Sequence, residues 1–138
     1  MATKKRKTAA PAKRRDGAPK KPVLPKLAKG EVYVGITLHD DKLHHLILLP
    51  GSTKAGWHAA GDWAKAQGGV LPSRHDGLVL FEHAREHFER DAYWLDSQRA
   101  DDPSYAWCQN FVWGSQSGGV LSWEPRARAV RRVPFGEE

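Results

Sequence analysis

Alternation marks the start of the folded part of the chain. From Glu31 to Leu38 (EVYVGITL) apolar and polar positions alternate, which predicts a strand with Val32, Val34, Ile36 and Leu38 on one face. A polar break, His39-Asp40-Asp41-Lys42, separates it from Leu43–Leu49 (LHHLILL), an almost wholly apolar run that Pro50-Gly51 ends. The two read as a β-hairpin with a short turn. The period then lengthens. Between Ala55 and Gln67, the residues Ala60, Trp63, Ala64 and Gln67 fall at helical spacing, and Gly68-Gly69 stops the helix. Val70-Leu71-Pro72 is extended, because a residue before proline avoids the helical region. Ser73 opens a second helix, with Asp76 three positions on as a capping-box acceptor. Leu78, Phe81, Ala84 or Arg85, and Phe88 supply its inward stripe.

After Asp91 the pattern shortens again. Ala92–Ser97, Tyr105–Val112 and Ala127–Val133 are aromatic or β-branched runs, separated by the polar loops Gln98–Ser104 and Gly114–Gly119. A strand pair, two helices and three further strands are not a βαβ alternation. They predict an α+β domain with two helices packed on a small, mainly antiparallel sheet. No internal repeat is visible.

Charge divides the chain in two. Residues 1–30 carry eleven Lys/Arg against Asp16 alone, whereas the remainder carries eleven Lys/Arg against fifteen Asp/Glu. All thirteen aromatic residues follow Gly30. The first segment, with four prolines and no apolar face, cannot bury enough surface to offset its ordering entropy. Residues 1–29 are therefore expected to be a disordered basic tail, and 30–138 the domain. Three clusters stand in the tail: Lys4, Lys5, Arg6 and Lys7; Lys13, Arg14 and Arg15; Lys20 and Lys21. Neutralising phosphates releases counterions, so non-specific nucleic-acid binding is one expectation. The tail has no aromatic residue to stack on a base. A plain solubilising or linking extension is the other reading, as is an intramolecular contact with the acidic body.

Other classes fall away. No run approaches the ~20 apolar residues of a bilayer-crossing helix, and Cys108 has no disulfide partner in the chain. No apolar segment follows the basic N-terminus as a secretory signal requires. A cytoplasmic or virion-associated address is expected, with no membrane partner.

Four segments, in order, resemble a known family. Trp57-His-Ala-Ala-Gly-Asp-Trp-Ala-Lys-Ala-Gln-Gly-Gly with Leu71-Pro72-Ser73 is similar to its first helix, diglycine and start of the second helix. Tyr93-Trp94 before Asp96-Ser97 resembles a "YWSS" strand, and Ala106-Trp107-Cys108-Gln109-Asn110-Phe111 with Gly114 an "AW-x-x-NF-x-x-G" strand. Arg128-Ala129-Val130-Arg131 resembles a terminal "RAVR" strand. This is the pattern of the Lcl C-terminal-type domain, a C-type-lectin-like domain common in bacterial and prophage proteins. The resemblance covers residues 31–135. It implies a C-type-lectin-like fold whose first and last strands close a small sheet, with a long-loop region that recognises ligand. The chain departs from sugar-binding lectins: it lacks their disulfides, and Trp123-Glu124-Pro125-Arg126 has Arg where a calcium-ligating amide is required. Calcium-dependent sugar binding does not carry over, and no cofactor is expected.

Local chemistry offers several candidates. His83-Ala-Arg-Glu86-His87 matches H-x-x-E-H, in which His83 and His87 would share a helical face with Glu86 to polarise a metal-bound water. The same helix bears Arg85, Glu89 and Arg90, as an ordinary charged outer face does. His44 and His45 lie in a strand, so their rings point to opposite sides. Cys108 reads as a buried, inert thiol. Asp101-Asp102 with Asp96 lack EF-hand spacing. Trp94, Trp107 and Phe111 occupy strand positions expected in the core. Trp113 and Trp123, by contrast, bracket the polar segment Gly114–Ser122, an arrangement that stacks on and hydrogen-bonds a ligand. The expected ligand-binding residues are Asp96, Gln98, Trp113, Ser115, Gln116, Ser117, Trp123 and Arg126. The leading reading is a non-enzymatic, phage- or prophage-type module that binds a protein or glycan. The alternatives are a nucleic-acid-associated adaptor acting through its tail, and a zinc hydrolase centred on His83, Glu86 and His87.

Overall fold

The computed structural model describes residues 23–138. The basic clusters from Lys4 to Lys21, and their expected contact with nucleic acid, lie outside the described residues. In chain order the elements are β1 (Val32–His39), β2 (Lys42–Leu48), β3 (Thr53–Lys54), α1 (Trp57–Ala66), α2 (Arg74–Ala84), β4 (Ala92–Gln98), β5 (Tyr105–Asn110), β6 (Gln116–Val120), β7 (Arg126–Ala127) and β8 (Val130–Pro134). Three strands form one sheet in the order β1-β2-β8, and five form another in the order β3-β7-β4-β5-β6. Pairing is antiparallel throughout except between β4 and β7. The fold is α+β, and no helix among the described residues is long and apolar enough to cross a membrane.

The expected hairpin is present, with His39 opposite Lys42. Its two turn residues, Asp40 (φ 50°) and Asp41 (φ 60°), both take the left-handed conformation of a tight two-residue turn. The alternation expected along β1 does not persist. A bulge between Tyr33 and Gly35 shifts the register. Beyond it Thr37 is buried, while Ile36 and Leu38 are exposed. An extra residue in one strand reverses every later side chain.

β2 is apolar on both faces because both are covered. Ile47 and Leu49 join Ala60, Ala64, Trp94 and Cys108 in a core beneath α1. Leu46 and Leu48 join Leu80, Ala84, Phe88, Tyr93 and Phe111 in a second core beneath α2. β4 divides likewise, sending Trp94 to the first and Tyr93 to the second.

α2 begins with the expected capping box: Asp76 N–H donates to the Ser73 hydroxyl (3.0 Å) and Ser73 N–H to the Asp76 carboxylate (2.9 Å). Its inward stripe, however, is Asp76, Gly77, Leu80 and Ala84. Leu78, expected inside, is 51% exposed, and Phe81 is only half-buried. Gly77 explains the choice. A Cβ there would stand 2.8 Å from Gln109 Oε1, so the missing side chain lets α2 settle onto β5.

The same cap reaches across the fold. Asp76 is fully buried and accepts from Thr37 Oγ1 (2.6 Å) and from Arg132 Nε (3.0 Å) and Nη2 (2.7 Å). One carboxylate thus ties α2, β1 and β8 together. Desolvation raises its pKa, but the bonds from Arg132, Thr37 and Ser73 outweigh it and hold the carboxyl below its ordinary value.

Residues 23–29, the end of the segment expected to be disordered, run along the body without regular structure. Pro25 is buried, and the Lys26 carbonyl accepts from Arg131 Nη2 (3.0 Å). Arg131 also forks onto Glu31 (2.8 and 3.0 Å), whose carboxylate receives the Ala28 N–H (2.8 Å).

Candidate functional site

The segment from Trp113 to Trp123 is not the long loop expected. Gln116–Val120 is β6, an edge strand paired with β5 from Gln109↔Gln116 to Tyr105↔Val120. Its serines and glycines carry no strand signature, yet backbone pairing needs none. The two tryptophans consequently stand at opposite ends of a strand. Trp123 packs edge-on against Trp94 (6.0 Å between centroids) and over Gly119, where a Cβ would lie 2.6 Å from its ring. Trp113 is 80% exposed.

The other expected ligand residues separate. Gln116 is fully engaged within the fold: its Nε2 donates to the Arg74 carbonyl (2.7 Å) and to Gln109 Oε1 (2.8 Å), and its Oε1 accepts from Arg74 Nε (2.9 Å). Ser115 and Ser117 are exposed beside it. Gln98 closes its own loop through the Pro103 carbonyl (2.7 Å), and Arg126 pairs with Asp91 (3.1 Å) on the far strand β7. Asp101 and Asp102 serve Arg99 and Ser104 in that loop.

What gathers around Trp113 is different. Its turn is fixed by Asn110, whose Oδ1 accepts from Val112 N (2.7 Å) and Trp113 N (2.9 Å). Gly114 (φ 81°) follows, and a Cβ there would lie 2.7 Å from the Phe81 ring. Phe81 in turn lies beneath the Arg85 guanidinium (4.3 Å). Leu78 is one turn back on the same helical face. At that helix's start Arg74 lies 3.7 Å over the Trp107 ring, with Arg99 at 5.3 Å. Trp107, expected in the core, is therefore half-buried under guanidinium groups, because Ala106 and Cys108 take the inward positions of β5. Sequence reasoning put Leu78 and Phe81 in the interior and singled out neither Arg74 nor Arg99, while Arg85 was read as part of a charged outer face or as the alternative to Ala84 on the inward stripe. The 74/78/81/85 spacing does mark one helical face, and the arginines at both ends indicate that it looks outward.

Asp96 belongs to a separate cleft of about 280 Å³ beside α1, lined by Trp57, His58, Asp62, Lys65, Leu71 and Asp96. Desolvation on the cleft's apolar wall raises its carboxyl pKa, against an opposing pull from Arg132.

The H-x-x-E-H spacing is not helical here. α2 ends at Ala84 (φ −143°), and Arg85–His87 form a tight 3₁₀ turn, so His83 and His87 no longer share a helical face. Among the described residues no group of three or more His, Cys, Asp or Glu is placed to hold a metal ion. His44 and His45 are both buried. His45 bonds Tyr33 Oη (2.8 Å) and Glu138 Oε2 (2.6 Å) and stacks on Phe135. Burial pushes the Cys108 thiol up to about 12, which leaves it protonated and unreactive.

No protein-family model matches the chain, and no curated protein matches it in sequence.

Proposed function

We propose that the chain is a non-enzymatic recognition module that takes a protein or glycan ligand on the face around Trp113. The observation that carries this reading is a tryptophan 80% exposed to water on a turn held rigid by the Asn110 carboxamide. An aromatic left outside, on a backbone that cannot relax to cover it, gains its burial only in a complex. Leu78 and Phe81 extend the apolar surface, and the stacked Arg74 and Arg85 bound it with charge. A C-type-lectin-like fold of the phage or prophage type belongs to the same proposal. Its support is that the first and last strands, β1 and β8, share one small sheet, each pairing with β2 between them.

The test compares wild type with Trp113→Ala and Leu78→Ser on a glycan array and in capture from host lysate. Binding profiles that lose their specific members in both variants, with melting temperatures preserved, support the reading. Unchanged profiles in two folded variants overturn it.

A further inference from the structure

Just beyond β7, a guanidinium is left without a counter-charge. Arg128 donates through Nη1 to the His87 carbonyl (2.7 Å) and through Nη2 to the Leu49 carbonyl (2.7 Å). Its Nε is buried with no hydrogen-bond partner, and its plane lies over Phe88 at 5.4 Å. A guanidinium carries five N–H donors. Two serve carbonyls and one is orphaned, which leaves one on each Nη. Among the described residues no carboxylate forms a salt bridge with it, since Asp91 is committed to Arg126. Burial lowers the Arg128 pKa, with the Tyr93 phenol opposing. A partly buried charge in this condition is costly unless something pairs with it.

Beside this group lies a cavity of about 230 Å³ lined by Ser52, His87, Glu89, Tyr93, Arg126 and Arg128. The Ser52 hydroxyl has no partner among the described side chains, and Arg126 uses only Nε on Asp91. We propose that this cavity binds a single carboxylate group, held by Arg128 and Arg126 with the Ser52 hydroxyl as a further donor. Charge limits the class. Asp91 pairs with Arg126 and Glu89 also lines the cavity, so a singly charged group adds the least negative charge there, whereas a phosphate dianion would add twice as much next to Glu89 and Asp91. A planar carboxylate also matches the guanidinium fork.

The experiment titrates sodium acetate into the full ¹⁵N-labelled chain at constant ionic strength, replacing sodium chloride, and follows the Arg128 Nε–H resonance. A saturable shift is expected, weakened at least fivefold in Arg126→Gln and abolished in Arg128→Lys. If Arg128→Lys does not fold, Arg126→Gln, whose side chain makes only the Asp91 bond, decides alone. A second arm uses N-acetyl-aspartate amide. Tighter binding than acetate assigns the site to an acidic side chain of a peptide, and weaker binding to a free small acid. A drift that never saturates, an unchanged affinity in Arg126→Gln, or inorganic phosphate binding more tightly than acetate at pH 7.5 overturns the proposal.

Discussion

Truncating Asp76 removes the carboxylate on which three elements converge. In Asp76→Ala the Ser73 N–H loses its capping partner, the Thr37 hydroxyl loses its acceptor, and Arg132, whose side chain is 12% exposed, keeps its charge with nothing to meet it. Breaking a buried ion pair from one side costs about 3–5 kcal/mol, and the lost half of the capping box adds up to about 2 kcal/mol. For a domain of this size each kcal/mol is worth about 4 °C, so the ion pair alone is expected to lower the midpoint by roughly 12–20 °C. Urea unfolding followed by tryptophan fluorescence measures the loss at constant m-value. The pairing itself is tested by Arg132→Ala and the double variant, whose combined loss falls well short of the sum of the singles. Acid supplies an independent reading. Because the folded pKa of Asp76 is depressed, its stabilisation is complete above the unfolded value of about 3.9 and is lost as pH falls through the folded one. Wild type therefore loses stability on acidification below about pH 4, and Asp76→Asn loses less. A loss under about 1 kcal/mol in Asp76→Ala, or strict additivity with Arg132→Ala, would refute the reasoning.

Three further outcomes follow from the geometry. Trp107→Ala, which removes a ring already half in water beneath Arg74 and Arg99, costs about 1–2 kcal/mol, less than the ~3–5 of a buried aromatic; chemical denaturation separates the two. Gln116→Ala strands the buried Gln109 Oε1 and destabilises by about 1–3 kcal/mol, so it is a stability variant rather than a binding variant. Cys108 resists a thiol-labelling disulfide reagent at pH 8 in the native protein and reacts on unfolding in urea, as a buried thiol with its pKa near 12 must.

How much of this was readable in the sequence depends on what kind of signal each residue sends. Local chemistry was legible: the Ser73-x-x-Asp76 box, the Asp40-Asp41 turn and the Gly68 stop of α1 each act within a few residues of themselves. Register was not. Nothing in VYVGITL announces a bulge, so Ile36 and Leu38 were expected inside where Thr37 now meets Asp76. The second helix misled for a related reason. Its apolar residues mark one face and its smallest residue another, and close approach to β5 through Gly77 decides for the latter. β6 was hidden because Gln-Ser-Gly-Gly-Val is held by its neighbour's backbone alone. The candidate site suffered from both errors. The exposure of Trp113 was legible, since an aromatic beside a glycine-rich run stands out, but Leu78 and Phe81 on α2 were assigned to the interior.

The placement of β2 bears on how the chain reaches this structure during synthesis. β2 completes its ladder only when Leu46 meets Arg132 and Leu48 meets Val130. On a ribosome the β1–β2 hairpin emerges early and waits for nearly all the rest of the body, with one side of its most apolar strand unpaired. Contacts so distant along the chain slow the search for the native state, and an uncovered edge of this kind recruits other nascent strands. Asp40, Asp41 and Lys42 at the hairpin's tip, together with His44 and His45 of β2, interrupt that apolar edge with polar groups during the interval. Truncation just before Val130 is accordingly the shortest route from this domain to an aggregating one.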